Sequence, residues 1–512
     1  MRITRIGSTL LLGAALLAGP ATADTLFFKD GRFYEVPKLV ETESGFDVHY
    51  DHGTVTVRKD LVKDWFIEQE GAAPEASNAE DQAKIDKGLV PFEGKWVPKS
   101  RRDGILKKRN EQSAAELEEY RKHQNWRDRY QIETKHFQFE FTVPLDVGQQ
   151  YMDMFEVYYE TFAKVWKIKQ PRGKKLRVCF YNNRDDFTRI GNVSRGVLGY
   201  FRFVEPIELN FFYERRDVRL TLDVLFHELN HYLYHLYTKD NVHLPQWVEE
   251  GMAEYYGASK WDPTTKKMTV GELQEGRLVA LMNEIDGGNM QDLRGLMSEP
   301  AINATQYAWS WTLCHMLMED KRYRSKFIKY IEKLARGKIK RAPNPRNVSF
   351  QMAPPTESIP TFQQMLGIKD LDAFEAQWYE YIKQLDVQTA RGYHRAALFC
   401  KQWERPLRAG LYFKKAIEEY YSDNPDTYRE YGSLLIAQDE AVKAIPILES
   451  GIKLDPLNAD LWHQLGRAYR KAGGEDNREK GKNYLILAHE IDPQDLGLLF
   501  GLDSDVLEAI EG

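Results

Sequence analysis

The hydrophobic pattern begins in the period of two. Between residues 24 and 68, Thr25-Leu26-Phe27-Phe28, Phe46-Asp47-Val48-His49-Tyr50 and Thr54-Val55-Thr56-Val57 read as short strands, with turns at Asp30-Gly31, Ser44-Gly45 and His52-Gly53. Such alternation predicts half-buried strands in a small β unit. Residues 69–82 are small, acidic and aperiodic, which predicts a linker. A short aromatic element, Leu89–Val97, precedes a charge-rich helical stretch at Arg101–Arg129, expected as a solvated connector. From about residue 131 both periods mix. Strands are predicted at His136–Val143, Leu176–Tyr181, Gly196–Tyr200 and Ile207–Tyr213. Helices are predicted at Val147–Trp166, Asp185–Ile190, Ala301–Met318, Tyr323–Ala335 and Leu371–Leu385, with a proline-rich loop over Arg341–Pro360. The last portion repeats: Pro425–Gln438 pairs with Glu440–Leu454, and Asn458–Ala472 with Asn477–Ile491. Each pair closes on Asp-Pro, and residues 396–425 fit a degenerate earlier pair.

These segments divide the chain into 1–23, 24–68, 69–130, 131–388 and 389–512. Its 512 residues exceed what one core holds. The first segment has the form of a signal peptide. Arg2 and Arg5 precede an apolar run at Ser8–Gly19, and Ala21-Thr22-Ala23 is a small-residue cleavage site before Asp24. That run is shorter than the roughly twenty residues that span a bilayer, so an exported protein, periplasmic or extracellular after cleavage near Ala23, is expected. The residue directly after the site is Asp24 and not cysteine, which argues against a lipid anchor, and no later run is long enough to make a transmembrane segment in the mature chain.

Composition narrows the function. A net charge of −6 with mixed signs argues against nucleic acid as the main partner, because phosphate binding needs a concentrated basic stripe. Cys179, Cys314 and Cys400 are odd in number and scattered, so they read as buried thiols, with a single pair as the alternative.

The chemistry concentrates in His227-Glu228-Leu229-Asn230-His231. Residues four apart share a helix face, so His227 and His231 can offer two imidazoles to one ion. Leu222, Leu225, Phe226, Leu229 and Leu233 supply the buried faces of that helix. A hydrolytic zinc takes three protein ligands and keeps a fourth position for water, and Glu228 stands beside the first histidine to take a proton from it. Eighteen residues after His231 comes Glu250, within Trp247-Val248-Glu249-Glu250-Gly251-Met252-Ala253-Glu254-Tyr255. A second helix starting near Trp247 would carry Glu250 past the first as third ligand. His235, at helical spacing, is expected to pack or cap.

This pair of motifs resembles the peptidase-MA-like branch of the gluzincin zinc metallopeptidases, over roughly residues 131–385. The metzincin alternative fails, because Tyr237 stands where its third histidine is required and its glycine is absent. The resemblance implies a thermolysin-like zincin catalytic domain, with His227, His231 and Glu250 holding one Zn2+ and Glu228 as general base of peptide hydrolysis. Glu254 would be either a carboxylate that orients a ligand imidazole or an exposed helix residue. Tyr307, in Gln306-Tyr307-Ala308-Trp309, would be the oxyanion donor or a core aromatic, with His315 a weaker candidate. The amine-capturing Gly-x-Met-Glu-Asn segment of the aminopeptidases is absent, so endopeptidase action is the better expectation.

Two further resemblances complete a multidomain α+β architecture. Residues 24–68 look like a small SH3-like β-barrel, structural or docking in role. Leu461-Trp462-His463-Gln464-Leu465-Gly466-Arg467-Ala468-Tyr469 resembles the first helix of tetratricopeptide (TPR) repeats, which implies a C-terminal α-helical domain that braces the enzyme or binds a protein partner. A peptide or protein substrate is the expected ligand of the zinc site. The rival reading is a catalytically silent zincin-fold scaffold that binds partners through its repeats.

Overall fold

A computed structural model of the protein describes residues 24–30, 32–67, 79–92, 95–169, 175–194, 197–214, 218–238, 244–339, 358–385, 389–402, 404–493, 495–499 and 502–511. The leader, most of the linker and most of the Arg341–Pro360 loop lie outside them. The chain falls into two units: residues 33–50 and 54–114 with the first strand, and residues 115–512 with the short stretches 30–32 and 51–53.

The first unit contains β1 (Asp24–Phe28), β2 (Phe33–Val36), β3 (Leu39–Glu41), β4 (Gly45–Tyr50), β5 (Gly53–Arg58) and β6 (Val62–Phe66). The alternating segments are strands, but they do not close into the expected barrel. They form two three-stranded sheets, ordered β2-β1-β6 and β3-β4-β5. Pro37 explains the break: it lacks the N–H a ladder needs, so β2 ends at Val36 and the chain re-enters as β3 in the other sheet. The Phe46 and Trp65 rings, one from each sheet, meet at 4.8 Å in the core. Next come α1 (Ala79–Ile85), a hairpin of β7 (Leu89–Phe92) with β8 (Lys95–Pro98), and α2 (Lys99–His123). α2 ends before Arg129 because the Asn125 side chain accepts the Arg127 N–H and caps a separate 3-10 turn.

The second unit is mixed α+β. Its sheet collects β9 (Tyr130–Glu133), β10 (Phe137–Phe141), β11 (Leu176–Tyr181), β12 (Gly199–Arg202) and β13 (Glu208–Phe212) in the order β12-β13-β11-β10-β9. β10, β11 and β13 are parallel, and antiparallel β9 and β12 form the edges. Parallel neighbours need a crossover, and α3 (Leu145–Trp166) provides it between β10 and β11. Its Tyr151, Phe155, Tyr158 and Phe162 repeat at helical spacing and are buried. After α4 (Arg184–Gly191) the chain turns helical: α5 (Val218–Tyr237) and α6 (Gln246–Gly257), then the hairpin β14 (Lys260–Asp262) and β15 (Lys267–Thr269). There follow α7 (Glu275–Asp286), α8 (Leu293–Ser298), α9 (Ala304–Glu319), α10 (Arg324–Ala335), α11 (Ser358–Leu366) and α12 (Leu371–Gln384). One apolar core runs through sheet and helices from Tyr130 to Ile382.

Helical hairpins fill the C-terminal region: α13 (Ala390–Gln402) with α14 (Pro406–Glu418), α15 (Pro425–Ala437) with α16 (Ala441–Leu454), and α17 (Ala459–Ala472) with α18 (Glu475–Ile491), before α19 (Ser504–Glu511). Asn424 and Asn458 cap the first helix of the second and third pairs. The pairs cross closely. A Cβ on Gly466 would lie 2.7 Å from Leu485 Cγ and 2.8 Å from the Gly481 carbonyl, so glycine is required there.

Candidate functional site

α5 is held from behind before its polar face does anything. Tyr158 of α3 stacks on Phe226 with centroids 5.0 Å apart, and its hydroxyl donates to the Phe226 carbonyl at 3.0 Å. Leu225, Phe226, Leu229 and Leu233 are buried, so the helix cannot rotate without exposing them. That fixes His227 and His231 on one face. α6 is anchored by Trp247, fully buried against Phe327, Tyr330 and Phe362. One turn later its backbone touches α9. A Cβ on Gly251 would sit 2.6 Å from the Ser310 carbonyl oxygen and 2.7 Å from Cys314 Sγ, so only glycine permits the approach that sets Glu250 opposite the histidines.

Three donor atoms converge. His227 Nε2 and His231 Nε2 are 3.1 Å apart, and Glu250 Oε2 lies 3.4 Å from each. Donors about 2.0–2.1 Å from a tetrahedral zinc stand about 3.3 Å from one another, so this triangle has the size of three ligands on one such ion. Glu250 Oε2 is buried and makes no hydrogen bond. An orphaned carboxylate oxygen between two imidazole nitrogens fits a cation at their common point. Among the described residues this is the one group of histidines, cysteines and carboxylates so arranged.

The surroundings favour positive charge. Glu228, Glu249, Glu250 and Glu254 all line the cluster, and Arg277 is the cation beside them. Burial would raise the Glu250 pKa, but His231 and His227 outweigh it and hold the carboxyl well below its ordinary range. Glu254 is likewise lowered against burial, to about 2, by Arg277 and His227. For Glu228 burial wins, and its pKa is raised despite the two histidines. Burial raises Glu249 as well. Burial opposes charge on His227, yet Glu250 and Glu254 drive its pKa up.

Glu254 Oε1 lies 3.3 Å from His227 Nδ1. With the ring N–H directed there, Nε2 keeps its lone pair toward Glu250 and His231. The His231 counterpart is looser, with Nδ1 3.9 Å from Glu249 Oε1. Glu228 Oε2 accepts the Phe201 backbone N–H at 2.9 Å, and the Phe201 ring stacks on Tyr232 of α5 at 4.8 Å. Tyr307 reaches the cluster from α9. Its ring lies nearly parallel to that of His227, 6.2 Å away, and burial together with the Glu250 carboxylate pushes its phenol well up.

All six residues singled out in the sequence, His227, Glu228, His231, Glu250, Glu254 and Tyr307, therefore meet in one place. His315 does not join them: its nitrogens engage the Gly271 carbonyl and the Tyr381 hydroxyl. His235 is exposed and packs on Phe201. The three cysteines are free and buried. Sequence reasoning missed Arg277, the Phe201 N–H and the proximity of Glu249 to His231. No motif marks the first two, and the third stood beside Glu250 in plain view.

Residues 224–339 match the model of a family described as protein of unknown function, DUF1570, a span that includes all six. No curated protein matches. Among solved structures, YrrB, described as a TPR protein with an unusual peptide-binding site, aligns at 19% identity over 30% of this chain and 74% of its own, with a TM-score of 0.21. The MamA protein aligns at 18% identity over 29% and 77%, with a TM-score of 0.20. No helix among the described residues is long and apolar enough to cross a membrane.

Proposed function

We propose that this chain is an exported zinc-dependent peptidase of gluzincin type, with a thermolysin-like catalytic unit, acting on internal peptide bonds. The observation that carries the reading is the donor triangle of His227, His231 and Glu250, with sides of 3.1–3.4 Å. Those three residues would hold one Zn2+. When bound, the ion supplies Lewis acidity to a scissile carbonyl and lowers the pKa of a water.

The remaining work falls to side chains. Glu228 takes a proton from the attacking water and returns it to the leaving amine. The Phe201 N–H holds that carboxylate in place. Glu254 fixes the His227 ring, and the Tyr307 hydroxyl donates to the oxygen that gains charge. β12 lies at the sheet edge beside Glu228, where an extended peptide can add as a further strand. That mode needs no free amine, which favours endopeptidase action. The leader-like pattern at residues 1–23 supports a reaction outside the cytoplasm, and the helical hairpins would recruit a protein partner or substrate.

The test uses the chain from Asp24 onward, assayed for zinc and for cleavage of a broad internally quenched peptide library. Zinc near one equivalent with chelator-sensitive cleavage, lost in Glu228→Ala, is the expected result. Bound zinc without turnover, alongside tight capture of a peptide, would replace the enzyme with the scaffold reading.

A further inference from the structure

Arg277 stands on α7, an element that carries no part of the two sequence motifs, yet it touches the candidate centre on two sides. Its Nη2 donates to Glu254 Oε1 at 2.8 Å, the same oxygen that lies 3.3 Å from His227 Nδ1. Its guanidinium carbon lies 5.1 Å from the centroid of the Tyr307 ring, and Nη1 reaches the Ala304 carbonyl, at the start of α9, at 3.4 Å. The Tyr307 ring in turn lies nearly parallel to that of His227. The contacts close a loop: His227 to Glu254, Glu254 to Arg277, Arg277 to Tyr307, and Tyr307 back to His227.

A guanidinium suits this place because it is flat. One edge can donate to a carboxylate while its face covers an aromatic ring. An ammonium meets one partner at a time. Glu254 is 3% exposed, so a carboxylate there that loses its cation loses the partner that fixes its place beside the imidazole. α7 does not depend on Arg277 for its position, since Leu278 and Leu281 are fully buried in the shared core and the Asn283 side chain accepts from Arg408.

We propose that Arg277 is a positioning residue for the candidate metal centre, setting the His227 imidazole through Glu254 and the Tyr307 ring through its face. This rests on reading His227, His231 and Glu250 as metal ligands. It adds a control point on ion affinity that stands outside both sequence motifs and acts through Glu254 and Tyr307.

The experiment measures zinc dissociation constants by chelator competition, and the visible spectrum of the Co2+-loaded protein, for the wild type, Arg277→Met, Arg277→Lys, Glu254→Gln and the Arg277→Met/Glu254→Gln double variant. Thermal unfolding of the metal-free forms runs alongside. Arg277→Met should weaken zinc about 10- to 100-fold, as expected when a residue supporting a ligand is lost, and shift the cobalt bands. Arg277→Lys should fall between it and the wild type. The loss in the double variant should be smaller than the product of the two single losses, because both act through one carboxylate. Metal-free unfolding midpoints of wild type and Arg277→Met should agree within a few degrees.

Wild-type affinity and an unshifted cobalt spectrum in Arg277→Met would overturn the proposal, as would multiplicative losses in the double variant. If Arg277→Met fails to fold, Arg277→Lys decides by the same two readings. A wild type that binds no zinc would instead refute the reading of the site itself.

Discussion

Glu228 Oε2 and the backbone N–H of Phe201 are joined by a 2.9 Å hydrogen bond, which ties the candidate general base on α5 to the edge strand β12. The bond holds one carboxylate oxygen and leaves the other for a water. Replacing Glu228 by Gln keeps the shape and an acceptor for Phe201 but removes the base. Glu228→Gln should reduce kcat about 10²- to 10⁴-fold with zinc content unchanged. Turnover within tenfold of wild type in a metal-replete preparation would reject the assigned role.

The second prediction concerns the ligands. An ion that binds only the folded state adds stability by mass action, about 2.7 kcal/mol at a hundred times its dissociation constant. Zinc should raise the unfolding midpoint of the wild type, and a chelator should reverse the shift. His231→Ala and Glu250→Gln should each abolish the zinc-dependent shift, read by thermal scans with and without metal. A full shift in either variant would show that the ion binds elsewhere.

Gly251 yields a third prediction that does not involve charge. In Gly251→Ala the new methyl would press on the Ser310 carbonyl and Cys314 Sγ, and α6 must move off α9 to relieve it. Overpacking of this kind costs about 1–3 kcal/mol. Because Glu250 rides on the same turn, zinc affinity should fall with stability. Denaturant melts combined with chelator competition check both effects, and unchanged zinc affinity would separate the packing from the site.

A fourth prediction follows from the face of the sheet opposite the α3 core, where Glu140 is buried among arginines. Glu140 accepts from Arg129 Nε at 2.6 Å and from Arg177 Nε at 2.8 Å, and Arg177 also donates to Glu208 at 2.7 Å. Burial alone would raise the Glu140 pKa, but the two guanidinium groups reverse that and lower it. A folded-state pKa below the unfolded one makes a stabilising contribution that is full above the unfolded value of about 4.3. It disappears as pH falls through the depressed folded value. Glu140→Gln should therefore cost about 1.5–3 kcal/mol at pH 7, with the gap to wild type closing in strong acid. Urea melts at pH 7 and pH 3 measure it, and equal gaps at both would contradict the linkage.

What the sequence revealed follows from the range of the interactions concerned. His227 and His231 were legible because helical spacing alone puts them on one face. Glu250 was legible because it follows His231 by eighteen residues inside a Trp-x-x-Glu-Gly frame; the packing of Trp247 and Gly251 behind that frame came only with the structure. The helical pairs at 425–491 were legible from their repeated length and their Asp-Pro stops, while the Asn424 and Asn458 caps emerged with the structure. The N-terminal strands were found, but alternation says nothing about closure, and Pro37 divides them into two sheets. Arg277 was not legible. Its partners Glu254 and Tyr307 lie 23 and 30 residues away on different helices, and its position between them is a product of the packing of α6, α7 and α9.

The stack of Tyr158 on Phe226 has a consequence for how the protein opens. Because α3 holds the motif helix by ring and hydroxyl together, and one core joins them from Tyr130 to Ile382, α5 belongs to the same cooperative unit as the sheet. Its amide protons should exchange with solvent as slowly as those of β11, through global opening and not by local fraying. The candidate centre would then persist for as long as the sheet behind it does.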